Sequence, residues 1–209
     1  MLVTDIKKSF PYNKLNEVYL DYEFSFALYE SELRKFKIEL SKEIEPSFIE
    51  KEVYPLLKKR ALNDALKIVS RADATIKTIK DKLALKKYPE SAILYAEEYL
   101  LKKGFVDDLE YAKKFAKSAF DKSKGKRYVE FELIKRGIAQ EIIEELINEY
   151  YKENIISDIA DKKLFSLIKG KEKPDYKDLT KLRDYLYRQG FCYEEINEEI
   201  TRVRQKYED

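Results

Sequence analysis

The sequence predicts a mainly α-helical protein: three tandem three-helix repeats in an elongated, curved array, behind a small strand-containing cap at the N-terminus. Three observations predict it. Charged residues make up 39% of the 209-residue chain while Gly and Pro number only five each, which suits long helices with solvated outer faces. Apolar side chains fall at helical spacing from Leu57 onward. One junction pattern recurs three times, at offsets of 50 and 53 residues, and self-similarity at such a period marks a repeat array.

The first 40 residues read differently from the rest. In Lys14 to Leu28, Val18, Leu20 and Tyr22 alternate with polar neighbours, and Phe24, Phe26 and Leu28 continue the alternation. Apolar residues at period two predict a strand pair with one buried face. Leu2 to Ile6 supplies a third strand, Pro11 and Asn13 mark the turn between the first two, and a short helix covers Ser31 to Phe36. Ser47 and Glu50 have the spacing of a capping box, and Pro46 and Pro55 bracket one short helix.

The recurring junctions are Leu83–Ile93, Leu133–Ile143 and Leu186–Ile196. Each opens with Leu, has Lys87, Gly137 or Gly190 four residues on, then Tyr88, Ile138 or Phe191, and closes with Ile. A helix presenting Val129 and Leu133 inward would end there, with Gly137 or Gly190 taking the left-handed cap at little cost. The next helix starts with Glu90, Glu141 or Glu194 at its positive dipole end. A further amphipathic helix precedes each junction, over Leu62–Val69, Leu109–Phe120 and Ile156–Ile168. Three helices of about 20 Å make each bundle. The expected organisation is a cap over 1–56 and repeats over 57–106, 107–153 and 154–209. The breaks Asp121–Gly125 and Gly170–Pro174 read as exposed loops inside repeats 2 and 3.

Composition excludes much chemistry. The chain has no His, so Ser-His-Asp and Cys-His catalysis are excluded. Cys192 is the lone cysteine, so no internal disulfide forms, and helix-start packing is its expected role. No Gly-rich phosphate loop, signal peptide or long apolar run is present. No enzyme activity, cofactor, metal or membrane contact is expected, and a cytoplasmic monomer is.

The net charge of +2 decides nothing, but its distribution does. Residues 113–136 hold nine Lys/Arg against three Asp/Glu, whereas residues 137–153 hold one Lys against five Glu. Two readings compete: a solvated surface of interleaved charges, or a basic face meeting a polyanion or an acidic protein groove. Lys122, Lys124, Lys126 and Arg127 form the best local candidate, with Gly125 letting the backbone approach a ligand and Lys135 and Arg136 extending the face. Asp107-Asp108 reads as a helix start or linker, with a carboxylate-based enzyme as the remote alternative. The 17 tyrosines read as core or half-buried packing, as at Tyr95, Tyr99 and Tyr185.

Three stretches resemble the RecX family, the bacterial regulators of the RecA recombinase. Ala65 to Leu83 looks like the family's opening helix pair, including Ser70-Arg71. Gly104 to Ile138 is similar to its Gly-aromatic-x-Asp-Asp motif, here Gly104, Phe105, Asp107 and Asp108. An aromatic-Ala pair (Tyr111-Ala112) and a basic Gly-containing loop follow. Leu186 to Ile200 looks like its last junction. The resemblance covers about residues 60–207, and Lys87, with Pro89 after it, departs from the Gly of the other junctions. It implies a modulator that binds in the groove of the RecA–single-stranded DNA filament. Such proteins block filament growth or promote disassembly, and they inhibit ATP hydrolysis, strand exchange and repressor cleavage. The residues expected to meet filament or DNA are Arg71, Lys122, Lys124, Lys126, Arg127, Lys135 and Arg136. A stand-alone nucleic-acid-binding helical module is the alternative.

Overall fold

The structure, a computed structural model, describes residues 1–12, 14–152 and 154–208. It is mainly helical with a small N-terminal sheet, and the chain divides into two compact units, Met1–Asp107 and Asp108–Asp209.

The first unit opens with an antiparallel sheet in the order β1 (Val3–Lys8), β2 (Leu15–Leu20), β3 (Glu23–Tyr29). Asp21 and Tyr22 join β2 to β3, both at positive φ (48° and 71°). That two-residue geometry matches the right-handed twist of the flanking strands. The expected alternation fails here. Val18 pairs with Phe26 but Tyr19 pairs with Phe24, so Ser25 is an extra residue in β3. Such a bulge flips the side chains on its far side. Phe26 and Leu28 are buried, while Phe24 lies 40% exposed, edge-on to Tyr19, and Tyr22 stands in solvent. Asn13 of the expected first turn lies outside the described residues.

Helix α1 (Glu30–Phe36) follows the sheet directly. The expected capping box at Ser47 is absent: Glu45 is the N-cap of α2 (Pro46–Phe48) and Pro46 holds the first helical position, which proline favours. Nor does Pro55 end that helix. A wider π-helical turn over Ile49–Val53 leads straight into α3 (Tyr54–Val69), so the chain runs on through Pro55 near the helix start, where a missing N–H costs little. Helices α4 (Ile76–Leu85) and α5 (Glu90–Lys102) complete the unit. Val18, Phe26 and Leu28 of the sheet share one core with Leu57, Leu83 and Leu100 of the helices. Arg60 ties the layers together. Its guanidinium donates to Glu32 and to the Ala27 carbonyl, each at 2.7 Å, and lies over the Tyr29 and Tyr88 rings.

The second unit holds two helix trios, each with its own apolar cluster. Helices α6 (Asp108–Asp121), α7 (Lys126–Lys135) and α8 (Gln140–Tyr150) enclose Ala112, Ala116, Val129, Leu133 and Ile143. Helices α9 (Ile155–Leu167), α10 (Tyr176–Gln189) and α11 (Tyr193–Glu208) enclose Leu164, Leu182, Leu186, Phe191 and Ile196.

The three junctions have one geometry. Tyr88, Ile138 and Phe191 donate their N–H to Leu83, Leu133 and Leu186, and the residue before each donates to Ala84, Ile134 or Tyr187. This is the Schellman closure, with φ of 62° at Lys87, 82° at Gly137 and 89° at Gly190. Lys87 therefore adopts the glycine conformation despite its side chain, which pairs with Glu17 at 3.4 Å.

Candidate partner-binding surface

The basic loop of the second unit leads into the first turn of α7, and the chain itself occupies the approach that Gly125 permits. The Gly125 N–H donates to the Gln189 carbonyl at 2.9 Å, and the Arg127 N–H donates to Gly190 at 3.0 Å. The positive end of α7 thus meets carbonyls at the negative end of α10, which satisfies donors that could otherwise hold an anion. A Cβ on Gly125 would lie 2.3 Å from the Gly190 oxygen. The reading of Gly125 as a ligand approach is therefore corrected: it is a buried joint between two helix trios, and the Asp121–Gly125 loop is exposed only over its first residues. Both partners are small because any side chain would prise the helix ends apart.

The predicted cations differ in exposure. Lys124 donates to Gln189 Oε1 at 2.8 Å and lies over Tyr128. Lys126 pairs with Glu195 at 3.5 Å and sits 4.4 Å from the Tyr151 ring centroid. Arg136 pairs with Glu132, donates to the Tyr111 hydroxyl at 2.9 Å and covers the Phe115 ring, clasping α6 to α7. Burial would lower the Arg136 pKa, but Glu132 and Tyr111 more than offset it and raise it. These three cations have partners within the unit. Lys122, Arg127 and Lys135 are exposed, Arg127 over the Tyr187 ring at 5.3 Å. Arg71 is exposed too, in the turn after α3 of the first unit.

Glu195 is the electrostatic centre of the joint. It accepts from the Tyr151 hydroxyl and from the Cys192 N–H, both at 2.9 Å, besides pairing with Lys126. Burial alone would push its carboxyl up, but these donors outweigh that and hold it below the usual carboxylate range. Cys192 precedes α11, as expected of a helix-start residue, and burial raises its thiol pKa.

The remaining motif residues lie at the end of α5 and along the start of α6. Gly104, at φ 65°, closes α5 with another Schellman pair, from Gly104 to Leu101 and from Phe105 to Leu100. Phe105 stacks on Tyr99 and stays 53% exposed. Asp107 immediately precedes α6, which Asp108 opens, and no cluster of metal-ligating side chains occurs among the described residues. Tyr111 and Ala112 hold α6 to its neighbours.

Sequence reasoning missed two features. Phe131 and Ile134 project from α7 at 65% and 50% exposure, on the helix that carries Arg127 and Lys135. Their spacing breaks the buried Val129–Leu133 stripe and was the available signal. Tyr95, expected in core or half-buried packing, is 42% exposed beneath Lys58.

Residues 107–147, which form the α6–α8 trio, match the family model described as RecX, second three-helix domain. A regulatory protein RecX of Clostridium beijerinckii is 34% identical over 189 residues, covering 89% of this chain and 88% of its own. The chain belongs to the RecX family. A regulatory protein RecX of Caldanaerobacter subterraneus is 31% identical over 201 residues, covering 96% of this chain and 99% of its own. Among solved structures, a crystal structure of regulatory protein RecX matches with a TM-score of 0.59 at 20% identity, covering 96% of this chain and 98% of that one. RecX from Lactobacillus salivarius matches with 0.57 at 23%, covering 71% and 97%. These two likenesses concern the fold. The RecX relatives are named as regulatory proteins, not as enzymes, and no helix among the described residues is long and apolar enough to cross a membrane.

Proposed function

We propose that this chain regulates a RecA recombinase by binding the RecA–single-stranded DNA filament and, for the most part, inhibiting its assembly, ATPase, strand exchange and coprotease activity. The observation that carries this reading is the near full-length match to a curated RecX regulatory protein. The protein acts as a cytoplasmic monomer, without a cofactor and without chemistry of its own. It is organised as a cap over 1–56 and repeats over 57–106, 107–153 and 154–209. Contact runs through the exposed Lys122, Arg127, Phe131 and Lys135 of repeat 2, together with Tyr187 of repeat 3, over whose ring Arg127 lies. Arg71 supplies a further contact. Several weak contacts on one chain combine into tight binding.

The test is the single-stranded-DNA-dependent ATPase of the cognate RecA with substoichiometric protein added. Inhibition that weakens with salt is expected, and no effect at any salt would sink the reading.

The exposed Arg127–Tyr187 pair favours a second reading, a nucleic-acid-binding module that needs no RecA. It requires tight, salt-dependent binding to free DNA. Binding seen only when RecA is present would reject it.

A further inference from the structure

We propose that the tip of the β1–β2 hairpin, with the cavity beneath it, is a binding site for single-stranded nucleic acid within the first unit. Nothing in the repeat surface requires this site, and it operates without RecA.

The connection from β1 to β2 is held at its base by the Ser9 N–H, which donates to Leu15, and by the Leu15 N–H, which donates to Tyr12. Its tip projects two aromatic side chains. Phe10 is 85% exposed and Tyr12 is 38% exposed. Packing within the unit does not account for them, because neither belongs to its core.

Beneath Tyr12 lies a cavity of about 440 Å³, within the size range of ligand sites. Its walls include Tyr12, Tyr29, Tyr88, the Arg60 guanidinium and the Asp64–Lys86 ion pair. That guanidinium lies 4.9 Å from the Tyr29 ring centroid and 5.4 Å from that of Tyr88. Tyr88 is buried and Arg60 covers one face of each ring, so the π surfaces open to a base are those of Phe10, Tyr12 and the 40% exposed Tyr29. A second depression shares Lys14 and Tyr29 with the first and adds Lys8 and Arg34. Lys14 has no ion-pair partner among the described residues, while Lys8 and Arg34 share Glu30 at 3.9 and 3.5 Å. The interior is lined by rings and by Asp64 already paired with Lys86, and the mouth therefore carries three cations against one carboxylate.

This pairing selects the ligand. Unstacked bases bring π faces for the rings, and the phosphates between them bring charge for Lys8, Lys14 and Arg34. A duplex hides its base faces. An acidic peptide would satisfy the cations and leave the rings unused.

The test measures binding of the full chain to a fluorescent oligothymidylate with no recombinase present, so its failure is distinct from failure of the filament reading. Tyr12→Ala should weaken binding about tenfold, the effect of losing one stacked base. Lys14→Ala should weaken it and flatten the salt dependence, whereas Tyr12→Phe should bind like the parent. A duplex of equal length should bind more weakly, and 4-thiothymidine placed in the oligonucleotide should crosslink to Phe10 or Tyr12. Unchanged affinity in folded Tyr12→Ala would overturn the proposal. So would polyglutamate competing as well as the oligonucleotide, which would mark a surface for acidic protein.

Discussion

Gly125 and Gly190 lie 65 residues apart in sequence, yet a Cβ on the first would stand 2.3 Å from the carbonyl oxygen of the second. A Cβ on Gly190 would in turn meet Tyr128 Cβ at 2.5 Å. Two helix trios are joined where both backbones are bare.

Gly125→Ala should therefore destabilise the protein strongly although its φ of −80° suits alanine. The obstacle is backbone, which cannot swing away, so a loss of at least about 2 kcal/mol is expected. Gly170→Ala is the control: it has positive φ but open space around it, and should cost only about 1 kcal/mol of strain. Urea unfolding of both variants checks the order. Equal losses would mean that the joint is not tight.

Glu195 should make the joint sensitive to acid. Its folded pKa is lowered, so its contribution is present above the unfolded carboxylate value, about 4.3, and is lost as pH falls through the folded one. Glu195→Gln should cost roughly 1–3 kcal/mol at neutral pH. The gap between parent and variant should begin to narrow as pH falls below about 4.3 and go on narrowing with further acidification. Denaturant titrations from pH 3 to pH 7 would show it, and a gap independent of pH would contradict the assignment.

Lys126 and Arg127 are neighbours with different expected roles. Arg127→Ala should leave the melting temperature nearly unchanged and reduce the salt slope of DNA or filament binding by about one phosphate contact. Lys126→Ala should lower the melting temperature first, because it removes the partner of Glu195. The opposite pattern would reassign the binding surface.

Arg60→Ala should leave Glu32 and the Ala27 carbonyl without their donor and remove a guanidinium from between two rings. Both side chains of the ion pair are more than 80% buried, so a loss of about 3 kcal/mol is expected. Arg60→Lys should recover only part of it, since an ammonium cannot donate in both directions from one plane. Thermal unfolding measures the series.

Cys192 should alkylate more slowly at pH 7 than a free thiol, because burial raises its pKa and leaves little thiolate. Mass spectrometry after timed iodoacetamide exposure follows the single site. Rapid modification of the folded protein would contradict the half-buried helix-start role.

The parts of this fold that were legible in the sequence are those whose cause is local. Leu133, Gly137 and Ile138 fall within two turns of one another, and the closure they form needs nothing from elsewhere. The same holds for Leu186, Gly190 and Phe191, so the repeat and its caps could be read directly. The family resemblance was legible for the same reason, in the α6 motif that residues 107–147 share with the RecX model. The sheet was only partly legible. The bulge at Ser25 reverses the facing of Phe24, and it depends on which residues of β2 pair across from it.

The candidate site shows the division most clearly. By itself the sequence determined how the helices end at the three junctions, and that positive charge gathers around the α6–α7 loop. Only the tertiary structure decided what that charge faces. Lys124 reaches Gln189, Lys126 reaches Glu195, and Gly125 admits Gly190, all across more than 60 residues of chain. A cation beside an internal carboxylate and one left open to solvent look alike in sequence, because the partner that distinguishes them arrives by packing of distant helices.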